Sequence, residues 1–146
     1  FKLNMRLSDL HGFALDLGSD CPFFLYNEHS FVSGRGEIIE SSKLNLKGLF
    51  LKLIYPTIHS STREAFVGLE PAREEQLFGV ESWKNLRNDF ESSIFKIHPE
   101  IGNLKTQLLN EGAIYSSMTG TGSCVYGIFN SKPEIIGNVN EFVIQL

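Results

Sequence analysis

Residues 114–129 read IYSSMTGTGSCVYGIF and place a glycine-rich turn between two apolar runs. The flanking runs, IYSSMTG and SCVYGIF, are typical of strands, and glycine readily adopts the positive φ that tight hairpin turns require. We therefore predict two neighbouring strands joined by this turn. Spacing leaves a second interpretation open, because consecutive backbone N–H groups beside Thr119, Thr121 and Ser123 also suit an anion-binding nest.

The glycines of this turn match neither standard phosphate-binding motif. The GxGxxG pattern requires glycine where Val125 stands, and the P-loop pattern GxxxxGK followed by Ser or Thr is absent from the chain. On spacing alone, a plain hairpin turn and a phosphate cradle both remain open.

Toward the N-terminus, the pattern predicts a helix followed by a β-hairpin. Apolar residues repeat with helical spacing from Leu10 to Leu17, Ser8 can cap this helix, and Gly18 can end it with a positive φ. The runs PFFLYN and SFVSGRGEIIE are extended in character and predict a β-hairpin over residues 22–40. The polar stretch 41–47 that follows is typical of a domain boundary.

From residue 48 onward, strand and helix patterns alternate. GLFLKLIYP is the clearest strand, TREAFVGL is a helix that Ser60, Ser61 or Thr62 can cap, and two helices are predicted from Ser82 onward with a break at His98-Pro99. KPEIIGNVNEF, residues 132–142, predicts a short helix, and VIQL a last strand. This order predicts an antiparallel sheet with helices on one face, which is an α+β domain.

Composition and charge narrow the class of protein. The 146 residues, 42% hydrophobic and 21% charged, predict a globular chain of one domain, or of one domain with part of another. A net charge of −4 and scattered basic residues argue against nucleic acid as a partner. We predict no metal site, because the two cysteines are far apart and the histidines show no ligand spacing.

Targeting signals give further expectations. No apolar run approaches the roughly 20 residues that a membrane helix needs, and no signal peptide is apparent, so we expect a soluble, cytoplasmic protein without a membrane partner. The chain opens with FKLN rather than with methionine, and we therefore expect further sequence upstream.

One acidic residue stands out as a candidate for chemistry. Asp20, in LGSDCPFF, follows a predicted helix end and lies before Pro22 at the entrance to a predicted strand. Most aspartates in such a place are turn residues, but a carboxylate there can accept or orient the proton of a substrate hydroxyl. The stretch NDFE, residues 88–91, has the character of a solvated piece of helix.

Five motifs in a fixed order carry a resemblance to a known family. They are LGSDCPFFL, SGRGE, YPTIHSSTREAF, NDFE and MTGTGSCVYGIF. Together they resemble the C-terminal half of kinases of the galactokinase, homoserine, mevalonate and phosphomevalonate kinase superfamily, specifically those that phosphorylate a cytidine-diphosphate-linked methylerythritol. The resemblance covers nearly the whole chain. It implies that MgATP phosphorylates the 2-hydroxyl of that substrate, in non-mevalonate isoprenoid precursor synthesis.

The resemblance also implies an architecture and a set of site residues. Residues 1–46 would be the tail of the N-terminal kinase domain, a helix plus a β-hairpin, and 47–146 a ferredoxin-like C-terminal domain. Asp20 would be the catalytic base or the group that orients the hydroxyl. The turn would be both a hairpin and one wall of the phosphate site, and the remaining positions would line the cytidine-side pocket. The phosphate residues are Gly120, Thr121, Gly122 and Ser123, and the pocket residues are Arg35, Thr62, Arg63 and Phe66.

Two parts of the family's apparatus have no counterpart in this chain. They are the ATP loop of the form PxxxGLGGGSS and the catalytic lysine near the N-terminus. ATP with Mg²⁺ is therefore expected as the co-substrate only when the N-terminal half is present, and the chain alone is expected to be inactive. Two alternatives remain: a superfamily kinase acting on another small alcohol or phosphate, and a non-catalytic ferredoxin-like binding module.

Overall fold

The computed structural model describes residues 4–69, 83–137 and 140–146. The chain divides into two compact units, Phe1–Asn45 and Leu46–Leu146. Within the described residues, no helix is long and apolar enough to cross a membrane.

The first unit contains two helices and a two-stranded antiparallel sheet. Its elements are α1 (Leu7–Leu17), α2 (Phe23–Tyr26), β1 (Ser30–Ser33) and β2 (Ile38–Ser41). The predicted helix is confirmed, but Arg6 rather than Ser8 is its N-cap residue. Gly18, which ends the helix, has an extended φ of 172° rather than the expected positive one.

The predicted hairpin over residues 22–40 is wrong in its first strand. Phe23–Tyr26 form one helical turn, because Pro22 has the helical φ of −58° and Asn27 ends the turn in the left-handed region. A short apolar run carries too little periodicity to separate a strand from a helix. The hairpin lies instead wholly within SFVSGRGEIIE, where Ser33 pairs with Ile38 across the connecting turn.

The second unit is a four-stranded antiparallel sheet with helices. Its strands are β3 (Phe50–Tyr55), β4 (Tyr115–Met118), β5 (Val125–Phe129) and β6 (Asn140–Gln145), in the order β4-β5-β3-β6. Its helices are α3 (Thr62–Val67), α4 (Glu91–Ile97) and α5 (Pro99–Asn110), with a single 3-10 turn at Trp83–Asn85. The predicted α+β class is confirmed, and the strand order is that of a ferredoxin-like sheet.

One face of this sheet packs against the helices. Ile54 of β3 and Val125 and Phe129 of β5 point to that face because side chains alternate along a strand. They meet the buried side chains of α3, α4 and α5, which are Ala65, Ile94, Ile101 and Leu108. The break between α4 and α5 at His98-Pro99 is confirmed, with Pro99 in the first turn of α5, but the helix predicted before it is wrong over its first half, because α4 begins only at Glu91.

A lysine lies buried on the same face of the sheet. Lys52 Nζ is 2.7 Å from Glu111 Oε2 and 3.1 Å from Glu141 Oε2, and it also donates to the carbonyl of Glu134 at 2.8 Å. Burial lowers the pKa of Lys52, but the hydrogen bonds to the two carboxylates outweigh it, so the pKa is raised overall. The lysine therefore stays charged inside the unit.

This network explains why the helix predicted over residues 132–142 is wrong. Residues 132–137 contain no helix, and Asn140–Gln145 form a strand. Lys52 engages the Glu134 carbonyl, and the Ile136 N–H donates to Glu141 Oε2 at 3.1 Å. The side chain of Lys52, 82 positions from Glu134, and that of Glu141, five positions from Ile136, thus bond backbone groups that a helix would have used internally.

Candidate functional site

The turn between β4 and β5 is the hairpin that the sequence predicts. Met118 pairs with Val125, the Thr119 N–H donates to the Cys124 carbonyl at 2.9 Å, and the Gly122 N–H donates to the Thr119 carbonyl at 3.1 Å. Gly120 has φ of +56° and Gly122 has φ of +91°, so both adopt conformations that favour glycine. The predicted role of glycine in this turn is confirmed.

Three amide groups of the turn lack an acceptor in the described part of the chain. The N–H groups of Gly120, Thr121 and Ser123 donate to no acceptor among the residues that the structure describes. Gly120 is exposed, while Ser123 is 8% exposed. Clustered amide donors of this kind can hold an anion such as a phosphate.

The start of α3 lies against this turn. The buried Ser60 Oγ donates to the Thr121 carbonyl at 2.9 Å, and Thr62 Oγ1 lies 3.5 Å from Thr121 Oγ1. The structure therefore brings Thr62, a predicted pocket residue, next to a predicted phosphate residue. The two residues are 59 positions apart in the chain.

A capping box fixes the first turn of α3. The Glu64 N–H donates to Ser61 Oγ, and the Ser61 N–H donates to Glu64 Oε2 at 3.0 Å. Hydrogen bonds from the Ser61 backbone and side chain lower the pKa of Glu64. Of the three predicted caps, Ser61 is the one used.

Two further predicted pocket residues are exposed on α3. Arg63 is exposed to solvent. Phe66 is 59% exposed, and its ring packs edge-on against Phe90 with the centroids 5.0 Å apart. An exposed aromatic ring supported from one side offers its free surface to a planar group such as a nucleobase.

Sequence reasoning missed the role of NDFE. Asn88 precedes α4 rather than lying within it, and its Nδ2 donates to the carbonyls of Met118 and Gly120, both at 2.8 Å. Glu91 Oε1 accepts from the Met118 N–H at 2.8 Å and from Ser117 Oγ at 3.0 Å. The interpretation as solvated helix is wrong for these two side chains. The one sequence feature that could have indicated this role is that NDFE is among the five ordered motifs of the family resemblance.

The first unit holds the other two predicted site residues. Asp20 lies in the turn between α1 and α2, not before a strand, and its exposed side chain forms no hydrogen bond or ion pair with the described residues. Arg35 lies in the hairpin turn between Gly34 and Gly36 and is exposed.

The loops carrying Asp20 and Arg35 touch each other. Gly36 has φ of +116°, and a Cβ built on it would lie 1.8 Å from the carbonyl oxygen of Ser19. Only glycine fits this approach, which brings the backbone beside Arg35 to the backbone beside Asp20.

Comparison with known proteins identifies the class. Residues 76–145 match the family model described as GHMP kinases C terminal. A crystal structure of 4-(cytidine 5'-diphospho)-2C-methyl-D-erythritol kinase superposes with a TM-score of 0.72 at 21% identity, covering 88% of this chain and 49% of that chain. Residues 76–145 therefore match the C-terminal domain of the GHMP kinases in sequence, and the chain matches a solved kinase in fold.

Curated relatives are more specific. The chain is 42% identical over 147 residues to 4-diphosphocytidyl-2-C-methyl-D-erythritol kinase of Azobacteroides pseudotrichonymphae genomovar. CFP2, covering 95% of this chain and 55% of the relative. The kinase of the same name from Bacteroides thetaiotaomicron is 41% identical, with 99% and 57% covered, and that from Thermodesulfovibrio yellowstonii is 32% identical, with 92% and 53% covered. The resemblance seen in the sequence is confirmed, and the chain spans about half the length of these relatives.

Proposed function

We propose that this chain is the C-terminal part of an ATP-dependent kinase that phosphorylates the 2-hydroxyl of 4-diphosphocytidyl-2-C-methyl-D-erythritol, a step in non-mevalonate isoprenoid precursor synthesis. In this proposal, residues 1–46 belong to the N-terminal kinase domain and 47–146 form the C-terminal domain. The names of the relatives suggest the substrate. The structural observation that supports the proposal is the 3.5 Å distance between Thr62 Oγ1 and Thr121 Oγ1, which brings a predicted pocket residue beside a predicted phosphate residue.

The turn after β4 would form one wall of the phosphate site. ATP would bind as its Mg²⁺ complex, and the metal would neutralise part of the phosphate charge. The amide N–H groups of Gly120, Thr121 and Ser123 would stabilise the negative charge on the phosphate oxygens. Because these donors are backbone groups held in a turn, they need little rearrangement during phosphoryl transfer.

Asp20 would act at the alcohol. The substrate oxygen forms a bond to the γ-phosphorus, the bond from that phosphorus to the oxygen shared with the β-phosphate breaks, and ADP leaves. Asp20 would orient the hydroxyl and accept its proton. An exposed carboxylate without a partner among the described residues is free for this role.

The substrate's cytidine would lie against the remaining positions. The exposed ring of Phe66 offers a stacking surface for the base, and Thr62 offers a hydroxyl beside the turn. Arg35 and Arg63, both exposed, would supply positive charge to the diphosphate.

The test is a kinase assay on the chain joined to the N-terminal half that its relatives possess. We expect ADP release that depends on 4-diphosphocytidyl-2-C-methyl-D-erythritol, with a new phosphate monoester in the ³¹P NMR spectrum. Homoserine and mevalonate serve as comparison substrates. The 146-residue chain alone should show no turnover. Turnover by that chain alone, or a preference for a comparison alcohol, would contradict the proposal.

A further inference from the structure

The side chain of Asn88 uses its full set of hydrogen-bonding roles. Its Nδ2 donates to the Met118 and Gly120 carbonyls, and its Oδ1 accepts from the Phe90 N–H at 3.0 Å. A carboxamide has two donor hydrogens and an acceptor oxygen, so this arrangement is satisfied in one orientation only. The Phe90 N–H thereby determines which end of the amide faces the turn.

Glu91 binds the N–H of Met118 at the end of β4, whereas Asn88 binds the carbonyl of the same residue. Its Oε1 accepts from the Met118 N–H, while Lys105 Nζ lies 2.5 Å from its Oε2 and balances the charge. β4 is an edge strand, so the Met118 N–H and carbonyl can be reached from outside the sheet. The strand end is therefore anchored immediately before the turn begins.

The anchored carbonyls determine where the amide groups point. In a trans peptide the C=O of one residue and the N–H of the next point in opposite directions. Asn88 holds the Gly120 carbonyl, so the Thr121 N–H points away from Asn88. Ser60 holds the Thr121 carbonyl in the same way and so orients the Gly122 N–H toward the Thr119 carbonyl.

We infer that Asn88 is a positioning residue, which turns the Thr121 N–H outward for a phosphate by holding the Gly120 carbonyl. Ser60 assists by holding the next peptide unit. The inference rests on the proposed function, because it assumes that the outward amide meets a phosphate. It assigns to NDFE a role in orienting the turn, in addition to any contribution to stability.

The sharpest variant is Asn88→Asp in the protein joined to its N-terminal half. Aspartate keeps the shape and the acceptor for Phe90, but when ionised it donates nothing and places a negative charge against two carbonyls. We expect kcat/KM for ATP to fall by at least about tenfold at pH 8, the scale of one or two lost hydrogen bonds. Part of the loss should recover toward pH 5, because a protonated carboxyl group can donate one hydrogen bond.

Asp89→Asn is the matched control. Asp89 is adjacent and exposed, and the substitution makes the reverse chemical change. It should leave kcat/KM and its pH profile unchanged. Ser60→Ala is a second variant, which should lower kcat/KM in the same direction by removing only the bond to the Thr121 carbonyl.

NMR spectra of the 146-residue chain separate this inference from the proposed function. In Asn88→Asp, but not in Asp89→Asn, the amide resonances of Gly120 and Thr121 should move while most of the spectrum stays folded. Unmoved resonances would overturn the inference. Moved resonances with unchanged kinetics would support the anchor and overturn the placement of the turn at the phosphates.

Discussion

Gly120 and Gly122 lie two residues apart in the turn, yet alanine should be tolerated very differently at the two positions. A Cβ on Gly120 would meet nothing within 4 Å, and φ is +56°. A Cβ on Gly122 would lie 2.9 Å from Met118 Sδ and 3.4 Å from Ser60 Oγ, with φ of +91°. Met118 is 2% exposed, so its sulfur cannot move into solvent.

These surroundings set the expected losses in the free energy of unfolding. Gly120→Ala places a side chain at a φ close to the ideal value of the left-handed region. The strain is partly offset because alanine lowers the conformational entropy of the unfolded chain, so the net loss in the free energy of unfolding should be about 1 kcal/mol. Gly122→Ala adds overpacking against a buried sulfur and should cost about 2–4 kcal/mol. For a unit of about 100 residues, each 1 kcal/mol corresponds to roughly 4–8 °C in Tm.

Urea unfolding of the 146-residue chain measures the difference, with fluorescence of its single tryptophan, Trp83, as the probe. Trp83 packs edge-on against Tyr115 of β4, with the ring centroids 5.5 Å apart, so its emission reports on the second unit. Equal losses for the two alanine variants would refute the packing argument, because only Gly122 faces Met118.

Gly112→Ala separates strain from function. Gly112 follows α5, has φ of +97° and has no atom within 4 Å of a built Cβ, so alanine there causes strain without approaching the turn. In the protein joined to its N-terminal half, Gly120→Ala should lower phosphoryl transfer, while Gly112→Ala should not. If both variants keep full activity, the exposed side of the turn is not at the active site.

Three other variants test separate parts of the molecule. Lys52→Met should lower the free energy of unfolding by about 3–5 kcal/mol, measured in urea, because the buried carboxylate of Glu141 and the partly exposed one of Glu111 lose their cation. Adding Glu141→Gln should restore part of this loss, and no restoration would contradict the network. Asp20→Asn should lower kcat of the joined protein by at least about a hundredfold with little change in Tm, and near-normal kcat would remove Asp20 from the mechanism. Ser61→Ala should cost about 0.5–2 kcal/mol at pH 7 by loss of the cap. Because hydrogen bonds from the Ser61 backbone and side chain lower the pKa of Glu64 in the folded state, the stabilisation that they contribute is lost as pH falls through that lowered pKa. The Ser61→Ala deficit in thermal melts should therefore shrink at acidic pH.

The sequence predicted some site residues and missed others, depending on how far apart in the chain the interacting residues lie. The turn glycines are required by the backbone conformation of a few adjacent residues, so the residue types alone indicated them. Thr62 and Phe66 came from resemblance to a family, and their nearness to the turn could not be read from spacing. Asn88 was missed because its partners, Met118 and Gly120, lie 30 and 32 positions away.

The amino-acid sequence by itself determined the elements whose signals are local: the hairpin of β4 and β5, the strand β3, the capped start of α3 and the break before Pro99. The tertiary structure decided the conformation of residues 132–137, which the sequence pattern assigned to a helix. There Lys52 reaches across 82 positions to the Glu134 carbonyl. Burying the Lys52 cation without oxygen ligands would cost more free energy than a short helix gains from its internal hydrogen bonds. Which oxygen atoms lie near Lys52 depends on the folded structure and not on the local sequence.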